Sequence, residues 1–370
     1  MSANALAIQQ FSSLDDAELS ARIVAAKDKL GERLVILGHH YQREEVFRHA
    51  HFSGDSLKLS RLAAESRAEY IVFCGVHFMA EVADILSRPE QKAVLPDLAA
   101  GCSMADMADL AKVEKAWREL REVLGDAEHT VMPVTYINSA ADLKAFCGRH
   151  GGIVCTSSNA REVLEWSFNR RGKVLFFPDQ HLGRNTAYRM GIPLDEMVTW
   201  DFTKPCGGLT LEQIRKAKMI LWKGFCSVHL MFRPTHIDAF RAKFPEGNVI
   251  SHPECSFEVC EKSDYVGSTE FIIKTIAEAA PGSRWLVGTE LNLVNRLNEL
   301  YKYEGKNIHF MSSTICMCST MFRIDPQHLL WTLENMVDGK VVNRISVPKI
   351  IAEEARLALN RMFEVSRVRN

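Results

Sequence analysis

Short apolar runs that stop abruptly in polar or glycine-bearing loops, with helical stretches between them, recur along the chain and restrict it to an α/β architecture. Leu34-Val35-Ile36-Leu37 ends in Gly38-His39-His40-Tyr41, Tyr70-Ile71-Val72-Phe73 in Cys74-Gly75-Val76-His77, and Ala93-Val94-Leu95 in Pro96-Asp97. Such runs, four or five residues long and spaced by helices, are the pattern of parallel strands buried on both faces. A second set follows: Val131-Met132-Pro133-Val134, Gly152-Ile153-Val154 and Val174-Leu175-Phe176-Phe177, the last again ending in Pro-Asp. A third comprises Met219-Ile220-Leu221-Trp222, Asn248-Val249-Ile250 and Trp285-Leu286-Val287, with Ile308-His309-Phe310 after it. The recurrence predicts three pseudo-threefold-related, three-layer αβα units with parallel sheets, spanning 1–110, 111–208 and 209–330. Helices within 331–370 are expected to pack on the first unit. Leu14–Leu30 reads as an opening amphipathic helix with Ser13 as its N-cap.

At 370 residues the chain exceeds what one core accommodates, in agreement with several units. A formal net charge of −1 and the absence of a basic stripe argue against a nucleic-acid partner or an anionic membrane surface. No apolar run approaches the roughly 18 residues a transmembrane helix needs. The acidic N-terminal stretch Leu14-Asp15-Asp16-Ala17-Glu18 does not read as a secretory signal. Ten cysteines in that setting point to a reducing, cytoplasmic compartment, where thiols serve metals or catalysis more often than disulfides.

The unusual polar residues fall just after strands, where parallel sheets bind their ligands. Three isolated thiols share that position: Cys102 in Gly101-Cys102-Ser103-Met104, Cys226 in Gly224-Phe225-Cys226-Ser227, and Cys318 in Cys316-Met317-Cys318. One on each unit suggests a shared central object, and thiolates select soft iron and zinc centres. Three protein ligands with one position open would make such a metal catalytic. Cysteine spacing alone is weak evidence, since no compact metal signature is present. Gly54-Asp55-Ser56, Thr156-Ser157-Ser158-Asn159 and Gly267-Ser268-Thr269 each precede a helix, and read either as N-caps or as anion sites. His252-Pro253-Glu254 has the spacing of a general acid–base pair, and equally that of a salt-bridged turn.

Taken together, these strand-end sequences closely resemble the quinolinate synthase family over nearly the whole chain. Gly38-His39-His40-Tyr41, Gly54-Asp55-Ser56, Phe78-Met79-Ala80-Glu81, Tyr136-Ile137-Asn138, Cys226-Ser227-Val228-His229, His252-Pro253-Glu254-Cys255 and Cys318-Ser319-Thr320-Met321 occur in family order. The resemblance implies one [4Fe–4S] cluster at the centre of the three units, held by Cys102, Cys226 and Cys318 with its fourth iron open. It implies condensation of iminoaspartate with dihydroxyacetone phosphate to quinolinate, phosphate and water, for NAD biosynthesis, with L-aspartate oxidase as a transient partner supplying the imine. His39, Ser56, Tyr136, Asn138, Ser157, His252, Glu254 and Thr269 are then substrate contacts. Glu254 and His252 handle protons with Tyr41 in support, and His229 faces the site or stands behind it. Cys318 is chosen over Cys316 because it alone fits the Cys-x-x-Met element.

Two other readings remain open from spacing. One is a mononuclear zinc or iron(II) lyase using His39, His252 and Glu254, with the cysteines merely buried. The other is a non-enzymatic iron–sulfur sensor.

Overall fold

The computed structural model describes residues 5–312, 314 and 317–367. Within them lie thirteen strands in three all-parallel sheets. The strands are β1 (Leu34–His39), β2 (Phe52–Gly54), β3 (Tyr70–Cys74), β4 (Lys92–Val94), β5 (Val131–Tyr136), β6 (Ile153–Cys155) and β7 (Lys173–Phe177). They continue as β8 (Met197–Trp200), β9 (Met219–Trp222), β10 (Asn248–Ser251), β11 (Tyr265–Val266), β12 (Arg284–Gly288) and β13 (Asn307–Phe310). Every apolar run read as a strand is one. β2, β8 and β11 carried no such run because they are edge strands, short and partly exposed, so burial imposes no hydrophobic pattern on them.

The sheet orders are β2-β1-β3-β4, β6-β5-β7-β9-β8 and β11-β10-β12-β13. Each begins with the second, first and third strands of its set, so each reverses winding direction beside its first strand. The loops after first strands therefore sit at topological switch points, where open α/β sheets bind ligands. β1, β3 and β5 are buried along their whole length. Each Val, Leu or Ile so removed from water contributes roughly 1.5–3 kcal/mol, enough to hold short strands of little intrinsic stability.

By contact density the chain forms two compact units. One joins Met1–Cys102 to Met317–Val347, and the other joins Ser103–Cys316 to Pro348–Asn370. The first holds the β1–β4 sheet and the second holds both others. Three expectations are corrected. The strand before Cys226, β9, belongs to the second set: it pairs with β7 (Val174 opposite Met219) and with the edge strand β8 (Trp200 opposite Trp222). Its own apolar run says that it is buried, but not against which neighbour.

The two C-terminal helices also part company. Helix Pro326–Val337 packs on helix Asp16–Leu30, clamped by a bidentate Arg22–Glu334 pair at 2.9 and 2.8 Å. Helix Lys349–Arg367 instead packs on helix Ala141–Arg149 and on β6, beside the second sheet. There Arg361 Nη1 donates to Gly152 O at 2.6 Å, and a Cβ built on Gly148 would lie 1.9 Å from Glu354 O, so only glycine permits the approach. The opening helix is capped by Asp15, whose carboxylate accepts from Glu18 N at 2.8 Å, rather than by Ser13.

Candidate active site

In all three sheets the sequence-predicted residues occupy equivalent places. His39, Tyr136 and, one residue past its strand, His252 mark the ends of the first strands β1, β5 and β10. Ser56, Ser157 and Thr269 follow the second strands β2, β6 and β11. Asp55 and Ser268 are the helix caps, accepting from Lys58 N at 2.9 Å and Phe271 N at 3.3 Å. Ser56 and Thr269 thus become first helical residues, one position past their caps. After β6 the turn closes differently, with Asn159 Oδ1 accepting from Thr156 N at 2.6 Å.

Cys102, Cys226 and Cys318 follow β4, β9 and β13, and each is half-buried beside a single helical turn. The contrast with the other thiols is chemical. Cys74, Cys147, Cys155, Cys255 and Cys260 are buried, and burial pushes their thiols up, to about 12 for Cys74 and Cys260. Such sulfurs stay protonated and inert; partly exposed ones reach the thiolate that binds metal. Cys206 is half-buried too, but lies in a left-handed turn (φ 48°) with its thiol raised by burial and by Glu119 and Glu122. Cys316 lies outside the described residues.

In the first unit, His39 Nδ1 accepts the Tyr41 N–H at 3.2 Å, and the two rings meet edge to face at 4.8 Å. His40 N donates to Gly54 O at 3.3 Å, which ties the loop after β1 to the end of β2. Asp97 accepts from Arg323 Nε at 2.9 Å, linking the segment before Cys102 to the turn after Cys318.

The second unit concentrates its chemistry around Glu254. This carboxylate is 3% exposed. Tyr136 donates its hydroxyl to Oε1 at 2.5 Å, and His229 Nδ1 lies 2.9 Å from Oε2. Burial raises the Glu254 carboxyl, but the facing His229 and these two hydrogen bonds more than reverse it, so the group stays ionised. His252 stacks on His229, with ring centroids 4.7 Å apart. Its Nδ1 accepts the Glu254 N–H at 3.3 Å, so the neutral ring carries its proton on Nε2. Burial keeps it neutral, lowering its pKa to about 3. An ionised carboxylate beside a neutral imidazole is an acceptor next to a donor, the pairing that general acid–base chemistry needs.

Cys226 Sγ joins this group: ligand atoms of Cys226, His229 and Glu254 all lie within 4.8 Å of one another. Sequence reasoning left the place of His229 open, and the structure puts it directly on Glu254. Asn138 follows β5, and its Oδ1 is buried and accepts no bond among the described residues. The loops after β6 and β11 meet at a pocket of about 240 Å³ lined by Ser157, Arg161, Asn185, Arg189, Pro253 and Gly267. Asn185 was not anticipated; nothing in its local sequence, inside a helix, marks it. Lys144 is fully buried and donates Nζ to Ser139 O, bracing the loop after Tyr136.

The family model described as Quinolinate synthetase A protein matches residues 21–364. The chain is 58% identical to the "Quinolinate synthase" of Herpetosiphon aurantiacus, over 97% of this chain and 95% of that one. It is 55% identical to that of Acidobacterium capsulatum over 98% and 97%, and 55% identical to that of Corynebacterium glutamicum over 96% and 90%. Among the described residues no helix is long and apolar enough to cross a membrane.

Proposed function

The chain belongs to the quinolinate synthetase A family, and from that premise we propose that it makes quinolinate for NAD biosynthesis by condensing iminoaspartate with dihydroxyacetone phosphate. The observation that carries the reading is the Glu254 cluster. Forming the pyridine ring from these two molecules requires protons to leave carbon and nitrogen, and phosphate and water to depart. A buried, ionised carboxylate beside a neutral histidine supports both directions of transfer. In this reading Glu254 accepts the proton, His252 Nε2–H donates to a departing or developing oxygen, and Tyr136 and His229 fix the carboxylate's orientation. Tyr41, edge to face with His39, assists from the loop after β1.

Substrate binding falls to His39, Ser56, Tyr136, Asn138, Ser157, His252, Glu254 and Thr269. The serine and threonine hydroxyls at helix starts suit carboxylate and phosphate oxygens. The orphaned Asn138 Oδ1 suits an imine or hydroxyl donor.

The half-buried thiols that follow β4, β9 and β13 support an iron–sulfur centre, because partial exposure lets a thiol reach the thiolate that binds metal. A [4Fe–4S] cluster bound by Cys102, Cys226 and Cys318 would supply a Lewis-acidic iron with one open position. A reducing cytoplasm is the compartment this donor set requires, and an L-aspartate oxidase is the natural source of the unstable imine.

A second reading rests on one observation. Cys226, His229 and Glu254 are the group close enough to hold a single zinc or iron(II) ion among the described residues. Iron, zinc and acid-labile sulfide per chain, measured on protein purified without oxygen, separate the two. About four irons and four sulfides, with quinolinate formed from enzymatically generated imine and dihydroxyacetone phosphate, support the cluster enzyme. One zinc or iron without sulfide, persisting after anaerobic reconstitution, would replace it with the mononuclear site.

A further inference from the structure

The turn that carries His252 and Glu254 is held from behind by a side chain that bonds to its backbone carbonyls. Asn185 lies in helix Gln180–Arg189 and is 2% exposed. Its Nδ2 donates to Pro253 O at 2.8 Å and to Cys255 O at 2.9 Å, and lies 3.2 Å from Cys260 Sγ. Both amide protons are thereby committed to the two carbonyls that flank Glu254. Flipping the amide would press Oδ1 against those carbonyl oxygens, so electrostatics fixes its orientation. Oδ1 accordingly accepts no bond among the described residues.

The helix is itself indexed. Asp179 caps it, accepting from His181 N at 3.2 Å and Leu182 N at 2.7 Å. Gly183 brings it onto the second sheet, since a Cβ there would lie 2.7 Å from Leu221. Asn185 therefore transfers the position of a rigid element of the second sheet to a loop of the third. Within that loop, Cys255 N donates to His252 O at 3.0 Å and Glu254 N to His252 Nδ1 at 3.3 Å. The internal bonds set the shape of the turn, and Asn185 sets where it stands.

We propose that Asn185 is a positioning residue for the reaction: by clamping the Pro253 and Cys255 carbonyls it aims Glu254 at Tyr136 and His229 and keeps His252 in register with them.

The test uses the full chain with Asn185→Ala and Asn185→Ser, measured by hydrogen exchange and by steady-state kinetics. Asn185→Ala removes both donors, and Asn185→Ser restores one. Expected is exchange over His252–Cys255 faster by about tenfold in Ala, with peptides over β5 and β7 unchanged. kcat falls by about a hundredfold while KM moves far less, iron and sulfide content stays at the wild-type level, and Ser lies between wild type and Ala. If Asn185→Ala does not accumulate as folded protein, Asn185→Ser against wild type carries the same comparison.

Unchanged exchange over the turn overturns the clamp, as does faster exchange with wild-type kcat. Uniformly faster exchange across the unit also overturns it, by making Asn185 a general stability residue. The kinetic arm rests on the activity proposed above, whereas the exchange arm does not. Wild-type protein that forms no quinolinate therefore sinks that activity and leaves exchange to decide the clamp.

Discussion

The Tyr136 hydroxyl stands 2.5 Å from Glu254 Oε1, so the end of one sheet's first strand donates to a carboxylate on the loop after another's. Hydrogen bonds to charged groups contribute about 1.5–3 kcal/mol. Tyr136→Phe is expected to lower kcat by roughly 10- to 100-fold and to lower the thermal midpoint by a few degrees, since a buried carboxylate loses a donor. A phenylalanine enzyme with the wild-type rate would detach Tyr136 from the chemistry.

Glu254→Gln keeps the shape and removes the proton acceptor. Loss of general acid–base assistance is worth about 10²–10⁴ in rate, so kcat should fall in that range. Iron content should remain if Glu254 is no ligand, and fall with kcat if the Cys226–His229–Glu254 metal site is real. Metal analysis beside kinetics reads both.

Cys226→Ser should abolish iron and sulfide binding, whereas Cys155→Ser, at a fully buried thiol, should leave both in place. Elemental analysis after anaerobic reconstitution checks the pair. Full cluster content in Cys226→Ser would remove Cys226 from the ligand set.

Gly148→Ala forces a methyl to within 1.9 Å of Glu354 O unless helix Lys349–Arg367 shifts. Overpacking of this kind costs about 1–3 kcal/mol. The thermal midpoint should drop by several degrees, with the C-terminal helix becoming more sensitive to protease. An unchanged midpoint would refute the tight docking of that helix on the second sheet.

His49 is buried beside Arg48 and Lys27, and burial first, then those charges, lower its pKa to about 4 against 6.5 when unfolded. Between those values the unfolded chain binds a proton the native one refuses. Stability is therefore full above pH 6.5 and falls on acidification toward pH 4, by at most about 1.4 kcal/mol per pH unit. Urea unfolding at pH 7 and pH 5 should show a smaller loss in His49→Gln than in wild type. Equal losses would mean that His49 does not carry the effect.

Much of this protein is written locally. Parallel strands covered on both faces must be apolar along their length, so β1, β3, β5, β7, β9, β10 and β12 announce themselves as runs. The loops that end them are the places where polar residues are affordable, which is why His39, Tyr136, His252 and Glu254 stood out before any geometry. What sequence could not give is anything settled by partners distant in the chain. β9 joins β7 rather than β10 through backbone pairing that leaves no mark on its side chains. The last helix chose the second sheet because a glycine at 148 admits its backbone, a fit visible only once both surfaces exist. His229 and Asn185 acquire their roles from residues 25 and 68–70 positions away, Glu254 for one and Pro253 and Cys255 for the other. Periodicity fixes which residues leave water; tertiary packing alone decides which of them meet.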